Sequence, residues 1–197
     1  IKNLVCQLET IRPAYSSVLG LFGPIFLAQE RARGSVVVHP VKVAKARLES
    51  FKQQETTLID KSAFMIDMAS AKHLFGQICS IAMDSNAKEM HPDTDLMKAV
   101  TAEDFDPTPL FFAVINEDGD FFRATARAYQ ATPETLMLLA YNSIKPSLES
   151  CAYALRNYLS EDMFWQKPSC PVCGSPPVLS VLDAGGNLSL ICGFCWS

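Results

Sequence analysis

Four cysteines close to one end constrain this chain more than any other feature: Cys170-Pro-Val-Cys173 and Cys192-Gly-Phe-Cys195 are two CxxC pairs separated by eighteen residues. That spacing is characteristic of a four-thiolate metal site. A CxxC places two sulfurs within a single turn, and Pro171 and Gly174 suit the tight bend in which backbone N–H groups point back at the sulfurs. Pro177 to Leu182 and Asn187 to Cys192 are two six-residue extended runs around Asp183-Ala184-Gly185-Gly186. At about 3.3 Å per residue one strand runs out about 20 Å and its partner comes back, so a hairpin returns the second pair to the first. Two reduced thiol pairs without metal, or a disulfide framework, fit this spacing less well. Four thiolates leave no open coordination position, so zinc here would be structural rather than hydrolytic. Iron in the same cage would be a one-electron redox centre, and the ligand set does not separate the two.

With 197 residues, 49% of them hydrophobic and 19% charged, the chain is long enough for one substantial core plus a small appended module. A formal net charge of -4 gives no general reason to bind polyanions. From Pro168 to Ser197 the only ionisable side chain besides the cysteines is Asp183. A ribbon that reads nucleic acid needs Lys or Arg against phosphate, so nucleic acid is not expected as a partner. The cysteines outside the pairs, Cys6, Cys79 and Cys151, are isolated in helical patterns and read as buried free thiols, which implies a reducing compartment. The longest apolar run, Val18 to Ala28, is interrupted by Gly20, Gly23 and Pro24 and falls short of the roughly 20 residues a bilayer requires. With Arg12 upstream, Gln29-Glu30-Arg31 downstream and no A-x-A site, it reads as a buried helix rather than a signal-peptide core. The chain starts at Ile1 and stops two residues past its last cysteine, and both ends read as truncated.

Ahead of the module the pattern is helical. Arg12-Pro13 opens a helix that reaches Gly20, Pro24 opens another that Gly34 ends, and Ser35 to Val43 is an extended connector. Lys42 to Thr57 reads as a charged helix with Val43, Ala46 and Leu48 or Phe51 inward. Leu58 to Met83 is the longest uninterrupted helical pattern, with Phe64, Met68, Leu74, Ile78 and Ile81 on one face. Asp84 to Pro109 is a polar connection with a short helix around Asp95 to Val100. A turn at Asn116 to Gly119 precedes a helix capped by Asp120, and Thr132-Pro133-Glu134 starts a last one that kinks or breaks at Pro146. The expected architecture is mainly α: a helical domain over 1–165, then a rubredoxin- or zinc-ribbon-like hairpin module over 166–197. Trp165, Phe194 and Trp196 are candidates to cover the knuckles.

No catalytic residue is expected. His39, His73 and His91 lack metal-type partners at three or four residues and read as solvated. Glu103-Asp104-Asp106 and Glu117-Asp118-Asp120 sit beside turn residues, where capping explains them. Lys42, Lys45, Arg47 and Lys52 are offset by Glu49 and Glu55, which describes a solvated face. There is no GxxxxGK[ST], GxGxxG after a strand, HExxH or GxSxG.

Trp165-Gln-Lys-Pro-Ser-Cys-Pro-Val-Cys-Gly-Ser-Pro-Pro177, followed by a hairpin and Cys192-Gly-Phe-Cys195-Trp196, resembles the formate dehydrogenase accessory protein family, FdhE. The resemblance is strong over about thirty residues and looser over the helices, where a proline-interrupted helix before the knuckle, here Tyr141 to Leu159, is similar in layout. It implies a cytoplasmic maturation factor that binds the catalytic subunit of a molybdenum- or tungsten-dependent formate dehydrogenase. It also implies a metal held by rubredoxin-like cysteine pairs, iron being the family's metal and zinc chemically suited. The family continues with further CxxC pairs that could build a second centre, whereas this sequence stops at Ser197. Cys170 and Cys173 are expected to pair with Cys192 and Cys195, because the hairpin makes those four sulfurs local.

Overall fold

The computed structural model of this chain describes residues 2–39, 41–85, 94–102, 104–159, 163 and 165–197. These are mainly helical and end in a two-stranded antiparallel hairpin beside the four cysteines, as the pattern leads one to expect. Eight α-helices fall within them: α1 Lys2–Ile11, α2 Ser16–Arg33, α3 Lys45–Lys52, α4 Met68–Asp84, α5 Thr94–Thr101, α6 Thr108–Ile115, α7 Gly119–Ala128 and α8 Pro133–Leu155. Strands β1 Pro177–Leu182 and β2 Leu188–Cys192 close the order. The chain forms two compact units, one of Ile1–Val36 with Asp67–Pro146 and the other of Val37–Ile66 with Ser147–Ser197.

In the first unit α2 packs against α4 and α1 against α2. Helix α4 begins where the Asp67 carboxylate accepts from the Ser70 N–H at 3.1 Å. Its Ala71, Leu74, Phe75, Ile78, Cys79 and Ala82 are all buried, the three- and four-residue rhythm of a core-facing stripe. Burial without an ionised partner pushes the Cys79 thiol up to about 12. Helix α2 does not stop at Gly20 and restart at Pro24, as expected, but runs through both. The carbonyl that Pro24 cannot serve belongs to Gly20, an exposed residue, so water can take that bond. Similarly, α8 does not break at Pro146. The proline leaves the Asn142 carbonyl without its helical donor, and the buried Gln29 amide supplies one, donating to Asn142 O at 2.8 Å and to Asn142 Oδ1 at 3.0 Å.

Three other expectations are corrected. The helix of 58–83 begins only at Met68, because Leu58 and Ile59 donate their N–H groups elsewhere, as described below. Helix α7 is capped by Asp118, which accepts from the Phe121 N–H at 3.0 Å, while Asp120 pairs with Arg123. Cys6 is exposed, on a helix whose Leu4, Leu8 and Ile11 are exposed as well. Cys79 and Cys151 are buried. Thr132 Oγ1 accepts from the Thr135 N–H at 3.1 Å, the expected start of α8.

The second unit holds α3, the 3-10 turn Lys61–Ala63, the end of α8 and the hairpin. The hairpin turns on Asp183, whose Oδ1 accepts from the N–H groups of Gly185 and Asn187, both at 2.8 Å. Register runs from Leu182 opposite Leu188 to Leu179 opposite Ile191, with an irregularity before Pro177 meets Cys192. Beyond the knuckles the ribbon is bare. Val178, Leu179, Val181 and Leu182 on β1 and Leu188 and Leu190 on β2 expose between 44% and 68% of their surface, on both faces.

Candidate metal centre

Each knuckle is built by its own sequence. Pro171 and Val172 carry the chain from Cys170 to Cys173, the Gly174 N–H donates back to the Cys170 carbonyl at 2.9 Å, and Gly174 takes φ +80°. Glycine suits this position twice over, since L residues are strained at positive φ and a Cβ would meet Thr57 Cγ2 at 3.2 Å. In the second knuckle the Gly193 N–H donates to Pro176 O at 3.0 Å, and a Cβ on Gly193 would lie 2.6 Å from Val178 Cγ1. The second knuckle is thus seated on the start of β1.

The four sulfurs converge. Cys170 and Cys195 are 3.7 Å apart, Cys173 and Cys195 3.6 Å, Cys173 and Cys192 3.5 Å, and all four lie within 4.8 Å of one another in buried positions. A disulfide would bring sulfurs to about 2.0 Å. A tetrahedron with metal–sulfur bonds of about 2.3 Å has edges of about 3.8 Å, and these three separations are close to that length. The Phe194 and Cys195 N–H groups donate to Cys192 Sγ at 3.3 and 3.4 Å, the pattern that supports metal thiolates. The four expected ligands therefore come together and lie close enough to bind one metal ion. Sulfur geometry is common to zinc and iron, so the identity of the ion does not follow from it.

Electrostatics point the same way. Hydrogen bonds with Cys173, then Cys192 and Cys195, hold the Cys170 thiol far below its usual range, while pairing with Cys170 pushes both Cys173 and Cys195 up. At Cys192 the pairing with Cys170 raises the pKa, but hydrogen bonds from Cys173 and Cys195 outweigh it and bring it to about 6. The protons belong to the set as a whole. Four bare thiolates here would repel by roughly 4–5 kcal/mol per adjacent pair at an effective dielectric of about 20, so full ionisation requires a cation.

Residues far upstream surround the knuckles, and sequence reasoning missed them. The Leu58 N–H donates to Pro171 O at 2.9 Å and the Ile59 N–H to Val172 O at 3.0 Å, so a bend at 58–59 ties both residues between the first two cysteines in place. Phe64 meets Phe194 edge to face at 5.4 Å, and Lys61 Nζ sits 5.2 Å over the Phe194 ring. Trp165 stacks on Phe51 at 5.6 Å and donates its indole N–H to Ser169 O at 2.7 Å. Two of the three proposed covering aromatics, Trp165 and Phe194, thus pack within this unit, whereas Trp196 is 38% exposed. The available signal was the β-branched and apolar run Thr56-Thr57-Leu58-Ile59, which suits an extended segment better than a helix.

The remaining candidates behave as solvated groups. His39 and His73 are exposed, His73 sitting 3.1 Å from Gln77 Nε2. His91 and Glu103 lie outside the described residues. Asp106 accepts from the Thr108 hydroxyl and N–H and pairs with Lys72, which lowers its pKa to about 2. Arg47 reaches Thr57 and Asp60, and Lys52 reaches Glu49. Among the described residues no helix is long and apolar enough to cross a membrane. Compared with protein-family models, curated proteins and solved structures, the chain matches none.

Proposed function

We propose that this chain is a non-catalytic, cytoplasmic accessory factor that binds the catalytic subunit of a molybdenum- or tungsten-dependent formate dehydrogenase and supports its assembly or activation. The observation that carries the reading is a closed four-cysteine cage, in the FdhE-like sequence context, at the base of a hairpin whose aliphatic side chains are bare on both faces. A cage with no open coordination position suits holding a shape better than turning over substrate. Uncovered aliphatic surface on a ribbon with two free edges suits contact with another chain. Leu4, Leu8, Ile11, Tyr15 and Val18 form a second exposed apolar series in the helical part, which supports a client surface there too. A bound ion would supply a rigid cross-link between the knuckles. The chain's own residues do the remainder: N–H groups at Cys192 orient the sulfur, and Leu58, Ile59 and Phe64 anchor the module.

Co-purification tests this reading. Tagged protein is expected to retain the formate dehydrogenase catalytic subunit, and Leu182→Glu with Leu188→Glu to lose it while keeping its metal. No association under any loading state of the client would overturn it. A second reading, iron at this site acting in electron or sulfur handling during client maturation, is favoured by one observation: Cys170 and Cys192 line a cavity of about 210 Å³ beside Trp165 and Lys167. Iron with a reversible visible spectrum would support it, and stoichiometric zinc with no redox response would remove it.

A further inference from the structure

The two knuckles repeat each other beyond their sulfurs. Each reads C-x-x-C-x-S, Cys170 through Cys173 to Ser175 and Cys192 through Cys195 to Ser197. In each, the residue after the second cysteine is left-handed, Gly174 at φ +80° and Trp196 at φ +58°. In each, the first cysteine donates its N–H to the serine carbonyl, at 2.8 Å for Cys170 to Ser175 and 3.3 Å for Cys192 to Ser197. In the second knuckle the turn brings the hydroxyl back to the sulfurs. Ser197 Oγ lies 3.2 Å from Cys195 Sγ and 3.3 Å from Cys170 Sγ. Ser175, two residues past Cys173, is 4% exposed and its hydroxyl completes no hydrogen bond. A buried hydroxyl left without a partner calls for an explanation.

We propose that Ser175 and Ser197 are positioning residues of the metal centre, each donating its hydroxyl proton to a thiolate once an ion is bound. This rests on the four cysteines holding an ion. A divalent ion with four thiolates carries two net negative charges, and no Lys or Arg occurs from Pro168 to Ser197 to offset them. Dipoles must do so. Backbone N–H groups serve Cys192, the Ser197 hydroxyl serves Cys195 or Cys170, and the buried, unpartnered Ser175 hydroxyl two residues past Cys173 is the donor assigned to the first knuckle. Thiolate is a stronger acceptor than thiol, which gives the Ser175 hydroxyl the partner it otherwise lacks.

Cobalt(II) binding to the full chain, followed by its thiolate-to-metal charge-transfer band, is the test. Ser175→Ala and Ser197→Ala are each expected to weaken cobalt binding about tenfold and to move the band to lower energy, because an undonated thiolate is easier to oxidise. Ser197→Thr, which keeps the hydroxyl, is expected to restore both. A purely structural serine would not move the band, and alanine variants with wild-type affinity and band position would overturn the proposal. Wild-type protein that binds no cobalt would instead sink the metal reading itself, and this inference with it.

Discussion

Gly193→Ala places a methyl group where the second knuckle has no room. The new Cβ would sit 2.6 Å from Val178 Cγ1 and 3.2 Å from Pro176 O, and the Gly193 N–H is already committed to that same Pro176 carbonyl. Valine is stiff at χ1, so Val178 cannot turn away freely, and backing the knuckle off would lengthen a backbone hydrogen bond. Overpacking of this kind costs about 1–3 kcal/mol. Because a bound ion and an ordered module stabilise each other, the strain should be read out as lost metal affinity, about 5- to 150-fold. Competition against a chromophoric chelator measures it. Val178 is 65% exposed, so Val178→Ala alone should bind metal almost normally, while the double variant should recover most of the loss and leave only the Pro176 contact. Wild-type affinity in Gly193→Ala, or no recovery in the double variant, would refute this seating of the knuckle on β1.

Further outcomes follow from other parts of the chain. Cys173→Ser and Cys192→Ser should release the ion and loosen the hairpin with most helical circular dichroism retained, whereas full metal occupancy in either would contradict their role as ligands. Gln29→Met should destabilise the protein by about 1–3 kcal/mol, because the Asn142 carbonyl and side-chain oxygen both lose a buried donor. Pro146→Ala restores a helical N–H for that carbonyl, so chemical denaturation should show a smaller loss when Gln29→Met is made in that background. Asp106 has a folded pKa of about 2 against an ordinary 3.8, so its contribution is complete above about 4 and is lost as pH falls towards 2. Stability curves of the wild type and Asp106→Asn should therefore converge as pH falls through that window, and parallel curves would argue against the Asp106 bonds to Thr108 and Lys72.

Sequence-local features were legible. CxxC spacing placed all four sulfurs, the β-branched and leucine runs placed the hairpin to within a residue, and the Thr132-Pro133 start of α8 is where it was expected. What depended on partners distant in sequence was not. Leu58 to Phe64 has helical periodicity, but two of its N–H groups pair with carbonyls more than 110 residues away, and nothing local announces that trade. Pro146 reads as a break until Gln29 is seen to serve the orphaned carbonyl. Asp120 and Asp118 are equally plausible caps by composition, and only backbone conformation decides. The two extended runs around Asp183 to Gly186 suggested strands without revealing that their aliphatic side chains would stay exposed on both faces.

The most direct measurement combines elemental analysis of protein purified without added metal with a count of reactive thiols under native conditions. One ion per chain, with Cys170, Cys173, Cys192 and Cys195 shielded from a thiol reagent until a chelator or denaturant is added, is the expected result. Fully reduced, folded protein with no ion and with all four of those thiols reacting freely would contradict it.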